Sequence, residues 1–528
     1  MIVKTKEKNP YNHTNKGLIM PFYVYIVLAV VVIIFAWVFI YENFIKDDSP
    51  TSKIYPSRKP ENTAFLKKVL NHGAIGEPLI MYDQNISKKK LNADPYRLEL
   101  PVFSVSCQER GLVVGVSGSG KTNFILAQIL DWMKSGKSFV CSDVKPEIWG
   151  ILASNGMLDA FGYQYIVINP TDPKSHKYNL FDDLKSDNDL DELLQVLLPA
   201  KSADSAVFAD LGRLVLKASI LFVRDNNEGQ VSLTSVYDFI VSQSSSKKLL
   251  AKLKDDGSEK VKELVSLAMK TSESDKLFAS AINSVVETFQ FMSNDTIRHN
   301  LSCSDYSLDE SLKSQKVAVF LQFEQDSMNT TERLFSLHVQ HIIRLLMSNA
   351  RQRDDVFLIF DELLNGGKIE NLADRFNLIR SYKMPTFLYI QSVAGLVEKY
   401  GKAEADKIIS ACSLQICYRV NDSETAEFFS KLCGQVTAER VNKSVSPTVT
   451  ADGRLINKTN ISKNLEMVDL VPPEMMLQLG FGKALCIYKG QSAIINIPQH
   501  FKDTPLTGGA DFVRLGDLDE ITETAEVA

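Results

Sequence analysis

A glycine-rich stretch carries the clearest chemical pattern in the chain. Residues 111–124 read GLVVGVSGSGKTNF, which fits the spacing Gly-x4-Gly-Lys-Thr. In this pattern backbone N–H groups close around phosphates at a helix N-terminus, the lysine pairs with the β- and γ-phosphates and the threonine hydroxyl binds Mg²⁺. The pattern therefore predicts an ATP and Mg²⁺ site, in which Lys121 is catalytic and Thr122 is a metal ligand. The expected nucleotide contacts are Gly115, Val116, Ser117, Gly118, Ser119, Gly120, Lys121, Thr122 and Asn123.

Two adjacent carboxylates follow an apolar run further along the chain. Residues 356–363 read VFLIFDEL, with Asp361 and Glu362 at the end of the run. A carboxylate in this position holds Mg²⁺, and its neighbour polarises the attacking water. The alternative is a core strand capped by two acids that start a helix. With the glycine-rich loop in the same chain, the pair is interpreted as Asp361 for metal and Glu362 for catalysis.

A third apolar run ends in a polar side chain. Residues 385–392 read PTFLYIQS, and Gln391 stands at the end of the run. Ligands of open parallel sheets bind at the carboxyl ends of the strands. In RecA-type motors a polar side chain beside the acidic strand senses the γ-phosphate, and Gln391 is the predicted catalytic residue of this kind.

Strands and helices must position these groups. The run LVV before the glycine-rich loop is typical of a buried strand, and TNFILAQILDWMK after it has the apolar spacing of a helix. This context disfavours a chance match in a Gly/Ser turn. The order of the three patterns predicts an α/β fold with a parallel sheet.

Length and charge set further limits. A chain of 528 residues is longer than one hydrophobic core ordinarily accommodates, so two or more folded units are expected. The net charge is −5, and residues 504–528 account for all of it. The remainder is neutral, which excludes a bulk basic footprint for nucleic acid. The seven scattered cysteines contain no C-x-x-C pair and indicate thiols in a reducing compartment.

An apolar stretch near the N-terminus is long enough to cross a bilayer. Residues 18–41 carry no charge and have aromatic residues at both ends, as spanning helices do. A cleaved signal peptide would have a shorter apolar core and a cleavage site of small residues. Lysines and arginines flank the stretch equally. No second segment of the sequence approaches spanning length, so we expect a single-pass protein. Because ATP is cytosolic, we expect the large C-terminal part to be cytoplasmic.

Several further segments resemble one family. These are FVCSDVKPEIWG, YIVINP, SHKYNLFDDL, LIRSYKMPTFLYIQSVAGLVEKYG and RVNDSETAEFFSKLCG, which occur in this order between about residues 111 and 501. Together they resemble the markers of type IV secretion coupling proteins, the TraG/TraD kind of conjugative DNA-transfer ATPase. The combination is far more specific than any one segment.

The resemblance implies a RecA-like P-loop ATPase domain that is interrupted by an all-α domain, and in this chain the apolar stretch at residues 18–41 precedes it as a single transmembrane helix. Helical spacing from Asp187 to about Ser314, before the strand-like run KVAVFLQF, agrees with such an insert. The expected organisation is a short N-terminal segment (1–17), a transmembrane helix (18–41), a linker (42–70), the first part of the ATPase domain (71–186), the insert (187–314), the second part (315–503) and an acidic, disordered tail (504–528).

The resemblance also implies partners. Family members work as hexameric rings at the bacterial inner membrane, with ATP at subunit boundaries. A cation from one subunit then completes the site of the next. Arg380 is the first candidate for this catalytic role, and Arg110, at the nucleotide, is the second; each could equally be a solvated surface arginine. The implied cargo is single-stranded DNA bound to a relaxase, delivered to a type IV secretion channel.

Other functions stay open at this point. The cargo could be protein effectors, the chain could be a slow nucleotide-dependent membrane adaptor without translocation, and a chromosome-partitioning type of DNA pump is disfavoured by the segments after Ser381. The acidic tail is either a solubilising end or a hook for a basic accessory protein. Two features depart from the family: one spanning helix where two are usual, and Leu180 and Pro146 at motif positions where proline and glycine are usual.

Overall fold

The computed structural model describes residues 79–82, 102–104, 110–200, 203–271, 275–314, 316–323, 325–369, 371–449, 455–488 and 490–497. The predicted anchor (18–41), the linker and the acidic tail lie outside the described residues. Among the helices that are described, none combines the length and the apolar character needed to cross a bilayer.

Thirteen strands occur in the described part of the chain. They are β1 (Leu79–Tyr82), β2 (Val102–Ser104), β3 (Arg110–Val114), β4 (Phe139–Ser142), β5 (Gln164–Ile168), β6 (Val317–Leu321), β7 (Phe357–Phe360), β8 (Thr386–Ile390), β9 (Leu414–Cys417), β10 (Gln435–Val449), β11 (Leu455–Asp469), β12 (Lys483–Tyr488) and β13 (Gln491–Asn496).

The α-helices of the described residues fall between these strands. They are α1 (Lys121–Lys134), α2 (Glu147–Ser154), α3 (Met157–Ala160), α4 (Asp187–Leu197), α5 (Ala203–Asn226), α6 (Leu233–Ser242), α7 (Ser246–Asp256), α8 (Glu259–Thr271), α9 (Asp275–Thr288), α10 (Asp295–Asn300), α11 (Leu308–Lys313), α12 (Met328–Ser348), α13 (Leu372–Ile379), α14 (Val393–Tyr400), α15 (Lys402–Ala411), α16 (Ser423–Cys433) and α17 (Pro473–Leu477).

Eleven strands form one sheet in the order β2-β1-β13-β12-β9-β3-β8-β7-β4-β6-β5. The pairs from β9 to β5 are parallel, whereas β12 pairs with β9 and β13 in antiparallel fashion. Successive side chains of a strand point to opposite faces. Accordingly Leu112 and Val114 enter the core on one face, and Val113 enters the core on the other. Both faces are covered, which explains the continuous apolar runs in these strands. The predicted α/β fold with a parallel sheet is confirmed.

The regular elements of the described chain between β5 and β6 are all helices. The helices α8 and α9 both pack on the long helix α5 there, and the core that they bury is continuous with the core on one face of the sheet. Ser186 and Ser232 cap the first turns of α4 and α6 with their side chains, which satisfies backbone N–H groups that a helix leaves unpaired. The limits of a separate insert domain at residues 187 and 314 remain a prediction.

The chain divides into two compact units. The described part of the smaller unit is residues 436–449 and 455–468, where β10 and β11 pair in a two-stranded sheet. The larger unit contains the sheet of eleven strands and the helices. All the residues with predicted chemistry lie in this larger unit.

Candidate nucleotide-binding site

The glycine-rich loop connects β3 to α1 at the carboxyl edge of the sheet. The Gly115 N–H donates to the carbonyl of Ile390 at the end of β8 (3.1 Å), and the Val116 N–H donates to the carbonyl of Arg419 just after β9 (3.2 Å). The loop is therefore held between two neighbouring strand ends. Its last residues lead into the first turn of α1, where unpaired N–H groups favour an anion.

Two glycines are required by the shape of this loop. A Cβ atom on Gly115 would lie 2.7 Å from Cβ of Tyr418 and 2.8 Å from Oγ of Ser119, so no side chain fits there. Gly120 has φ of 107°, a left-handed conformation that other residues rarely adopt. The loop geometry thus depends on the same glycines that define the sequence pattern.

Lys121 is buried and folds back on the loop. Its Nζ atom donates to the carbonyl oxygens of Gly115 (2.6 Å) and Val116 (3.1 Å). Burial lowers the pKa of the Lys121 amine, and the negative charges of Asp361 and Glu362 oppose this shift. The Lys121 ammonium thus lies against the loop, within reach of a phosphate that the loop would enclose.

The two carboxylates follow β7 at the same edge. Asp361 and Glu362 are both buried. Burial, together with nearby Asp143 and Glu362, raises the pKa of Asp361 to about 8, while Lys121 opposes the shift. A buried carboxylate with this surplus of negative charge is a good ligand for a divalent cation, because the cation removes the repulsion.

Glu362 is held in a defined position. Its backbone is left-handed, with φ of 48°, which is uncommon outside glycine and typical of functional sites. Lys145 Nζ donates to its Oε1 atom at 3.0 Å, and the side-chain amide of Asn365 donates to its Oε2 atom. Burial lowers the pKa of Lys145, but the hydrogen bond to Glu362 and the negative charges of Glu362, Glu147 and Asp361 together outweigh it, and the pKa is raised.

The segment after β4 supplies Lys145 to the site. Asp143 is buried and accepts hydrogen bonds from the N–H groups of Ile148 (3.3 Å) and Trp149 (2.8 Å), which fixes the start of α2. Burial raises the pKa of Asp143 to about 6. The Asp-x-Lys-x-Glu segment therefore positions Lys145 and Glu147 opposite the glycine-rich loop.

These side chains surround one cavity of about 400 Å³. Its lining is Ser117, Gly118, Gly120, Lys121, Thr122, Asn123, Lys145, Glu147, Asp361, Glu362 and Phe481. The volume lies in the range of small-molecule sites. Backbone donors, two lysines and the Asp361 carboxylate fit a nucleotide with Mg²⁺, which Thr122 and Asp361 would hold.

The sequence patterns and the cavity overlap only in part. Six of the predicted loop residues line the cavity. Gly115 and Val116 instead donate their N–H groups to the neighbouring strand ends, and the Ser119 N–H donates to the carbonyl of Val116 at 3.2 Å. Lys145, Glu147 and Phe481 line it but were not predicted as site residues. Lys145 and Glu147 belong to the segment FVCSDVKPEIWG, which resembles a family marker. Phe481 lies between Gly480 and Gly482, and this flanking is only a weak indication of a turn that exposes an aromatic side chain.

Gln391 directly follows β8, between the ends of β3 and β7. It is half-buried and is not part of the described lining of the cavity. The next helix is fixed by Thr425, whose hydroxyl accepts from the Val393 N–H at 2.9 Å, and by Ser392, which caps α14. The family segment around Asp422 and Thr425 thus supports the strand end that carries Gln391.

Both candidate arginines lie at the opposite edge of the sheet. Arg110 is the first residue of β3, and its guanidinium donates to the carbonyl of Phe376 in α13 at 2.9 Å. Arg380 begins the short 3-10 turn that follows α13. The carbonyl of Lys383, just after this turn, accepts from the Val356 N–H at the start of β7. The structure therefore brings neither residue together with the cavity of its own chain.

The Tyr178-Asn179 segment lies away from the cavity and joins the sheet to the helical region. Tyr178 is buried, its hydroxyl donates to Asp183 (2.9 Å) and contacts Nε2 of His341 in α12 (2.7 Å). The Asn179 amide donates to the carbonyl of Val231 at 2.8 Å. This segment has a structural role in the described residues.

The chain is similar in sequence to the proteins VirD4 and TraG. Protein VirD4 of Rhizobium radiobacter is 23% identical over 437 residues, 78% of this chain and 61% of VirD4. Conjugal transfer protein TraG of Escherichia coli is 25% identical over 198 residues, 35% of this chain and 30% of TraG. The chain spans about 60% of the length of the VirD4 proteins that it matches.

The fold is also similar to a solved structure. The plasmid coupling protein TrwB in complex with ADP and Mg²⁺ superposes with a TM-score of 0.61 at 16% identity, covering 85% of this chain and 96% of that chain. At this identity the likeness concerns the fold alone. The family model for type IV secretory system conjugative DNA transfer matches residues 67–513, most of the chain. The chain therefore belongs to the type IV secretory system conjugative DNA transfer family.

Proposed function

We propose that the chain is a Mg²⁺-dependent ATPase that couples a DNA substrate to a type IV secretion channel. One observation carries the nucleotide part: the P-loop residues Lys121 and Thr122 and the carboxylates Asp361 and Glu362 line a single cavity although they are far apart in sequence. The solved complexes of TrwB with ADP and Mg²⁺ and with an ATP analogue support the choice of ligand.

The roles follow from charge and position. The backbone of the loop and Lys121 bind the phosphates, Thr122 and Asp361 hold Mg²⁺, and Glu362 takes up the proton of the attacking water. Bound Mg²⁺ neutralises charge on the phosphates. Gln391, at the strand end between the loop and the carboxylates, senses the γ-phosphate.

Arg380 and Arg110 act across a subunit boundary in this proposal. Both lie at the edge of the sheet remote from the cavity, so either would reach a nucleotide only in a neighbouring copy. A hexameric ring, with Arg380 as the trans-acting cation, is the arrangement that the family resemblance implies. Such a group stabilises charge in phosphoryl transfer.

The cargo and location complete the proposal. Family membership favours a relaxase-bound single strand as cargo and the bacterial inner membrane as location, with residues 18–41 as anchor and the cavity on the cytoplasmic side. Strong stimulation of ATP hydrolysis by single-stranded DNA supports this cargo. Indifference to DNA, with tight binding of a protein partner, supports an effector-coupling protein or an adaptor.

The test is a mating assay with full-length variants. We expect Lys121→Ala and Glu362→Gln each to abolish DNA transfer while the protein remains in the membrane fraction. Lys137→Met is the matched control, since Lys137 pairs with Asp355 at the opposite edge of the sheet. Normal transfer with both site variants rejects the proposed function.

A further inference from the structure

One aromatic side chain of the cavity has no part in the chemistry described so far. Phe481 lies in the turn between α17 and β12, flanked by Gly480 and Gly482. Its side chain is 60% exposed. Its ring atoms Cε2 and Cζ lie 3.7 and 3.9 Å from the point that a Cβ atom on Gly120 would occupy. The ring therefore stands against the end of the glycine-rich loop.

Strand order shows which side of the loop this is. The cavity residues Asp361 and Glu362 follow β7, two strands from β3 on one side. On the other side lie β9 and then β12, and the antiparallel pairing places the beginning of β12 beside the end of β9. Phe481 precedes β12 by two residues, so the glycine-rich loop lies between Phe481 and the carboxylates.

This order gives a direction to a bound nucleotide. The γ-phosphate must face Asp361 and Glu362 for hydrolysis, and the loop holds the chain of phosphates. The sugar and base, at the other end of the molecule, then lie on the β9 and β12 side of the loop. An exposed apolar side chain alone needs no explanation. The position of Phe481 is more specific, because its ring lies on the side of the loop where the sugar and base of a bound nucleotide would lie.

We propose that the ring of Phe481 is the surface on which the nucleotide base stacks. This inference rests on the proposed function, because it assigns a base contact to the same site. Every base has a π face, so an aromatic platform binds bases without strong discrimination. The ring is attached to a turn in which Gly482 has φ of 75°, a backbone that lets the aromatic stand out from the sheet edge.

The experiment separates the base from the phosphates. In purified full-length protein, Phe481→Ala should raise the KM for ATP and for GTP about 5- to 150-fold with kcat little changed, the range that aromatic stacking gives. Inhibition by inorganic tripolyphosphate, which has no base, should be equal in the variant and the parent. Met475→Ala, at an apolar side chain of α17 that is 42% exposed, is the matched control and should keep the parental KM.

A second variant gives a direct signal. Phe481→Trp should retain the parental KM, and its fluorescence should be quenched by ATP and not by tripolyphosphate. An unchanged KM in Phe481→Ala overturns the inference, as does an equal loss of ATP and tripolyphosphate, which would mean that the ring only shapes the loop. Absence of ATP binding by the parent protein contradicts the proposed function instead.

Discussion

Lys145 Nζ lies 3.0 Å from Oε1 of Glu362, although the two residues are 217 positions apart in the chain. The contact joins the segment after β4 to the carboxylate after β7. Asn365 holds the second oxygen of the same carboxylate. Glu362 is thus paired with a cation that also lines the cavity that the γ-phosphate would enter.

This pairing predicts a role for Lys145 in turnover. In the proposed mechanism, the γ-phosphate of a bound nucleotide competes with Glu362 for the Lys145 ammonium, and the carboxylate is released to accept a proton from water. We expect Lys145→Met to lower kcat about 10- to 100-fold, since a hydrogen bond between charged groups contributes about 1.5–3 kcal/mol. Steady-state ATP hydrolysis measures the effect.

The control for this change is Lys137→Met. Lys137 is also partly exposed and also pairs with a carboxylate, Asp355, at 2.8 Å, but it lies just before β4 at the other edge of the sheet. Its hydrolysis rate should match the parent. A rate that rises in Lys145→Met would show that Lys145 only restrains Glu362.

Acid stability is predicted from a buried histidine. His338 in α12 is fully buried, its Nδ1 lies 2.7 Å from the carbonyl of Leu334, and its Nε2 has no hydrogen-bond partner in the described residues. Burial lowers the pKa of His338 to about 4. Below about pH 6.5 the histidine takes up a proton in the unfolded chain but not in the folded protein. The stability that neutral His338 contributes is therefore fully present above that pH and is lost as the pH falls toward 4.

We expect His338→Leu to reduce the loss of unfolding free energy on acidification. We compare the free energy of unfolding of the variant with that of the parent at each pH. The difference, variant minus parent, should be about 2 kcal/mol more favourable to the variant at pH 4.5 than at pH 7.5. Denaturant unfolding at the two pH values measures it. His341 is also buried with a lowered pKa and keeps part of the slope. Parallel pH profiles for variant and parent would show that His338 does not carry the effect.

The Tyr178 hydroxyl is predicted to act on stability and not on the nucleotide. Tyr178→Phe removes the hydrogen bonds to Asp183 and His341, while Asp183 still accepts from the N–H groups of Leu308 and Asp309. We expect a loss of about 1–3 kcal/mol in unfolding free energy, the usual result of breaking a buried hydrogen bond. The KM for ATP should not change.

Tyr165→Phe is the comparison for this variant, because Tyr165 is 43% exposed at the edge strand β5. Its unfolding midpoint should equal that of the parent. A large rise in KM for ATP in Tyr178→Phe, with an unchanged midpoint, would instead place the Tyr178-Asn179 segment at the nucleotide.

The fold could be predicted from sequence where the signal is local. The apolar strand, glycine-rich loop and helix around Lys121 are consecutive, and their spacing alone indicates β3, the loop and α1. Asp361 and Gln391 could be placed at strand ends for the same reason. The parallel sheet then brings such ends to one edge, which is why widely separated segments could be assigned to one site.

Other parts of the site depend on topology that the sequence pattern does not encode. Lys145 meets Glu362 because β4 is the neighbour of β7, and Phe481 reaches the loop because β12 runs antiparallel beside β9. Neither pairing can be deduced from periodicity. For the arginines, the structure adds what spacing could not, namely that Arg110 and Arg380 lie at the edge of the sheet away from their own cavity.

Binding and hydrolysis of MgATP, measured separately in one variant, test the role proposed for Glu362. Glu362→Gln keeps the shape of the side chain and removes its ability to take a proton. We predict that this variant binds MgATP at least as tightly as the parent and hydrolyses it at least 100-fold more slowly, on the order of the effect of general acid–base catalysis. Hydrolysis by Glu362→Gln at the parental rate would show that Glu362 does not take up the proton of the attacking water.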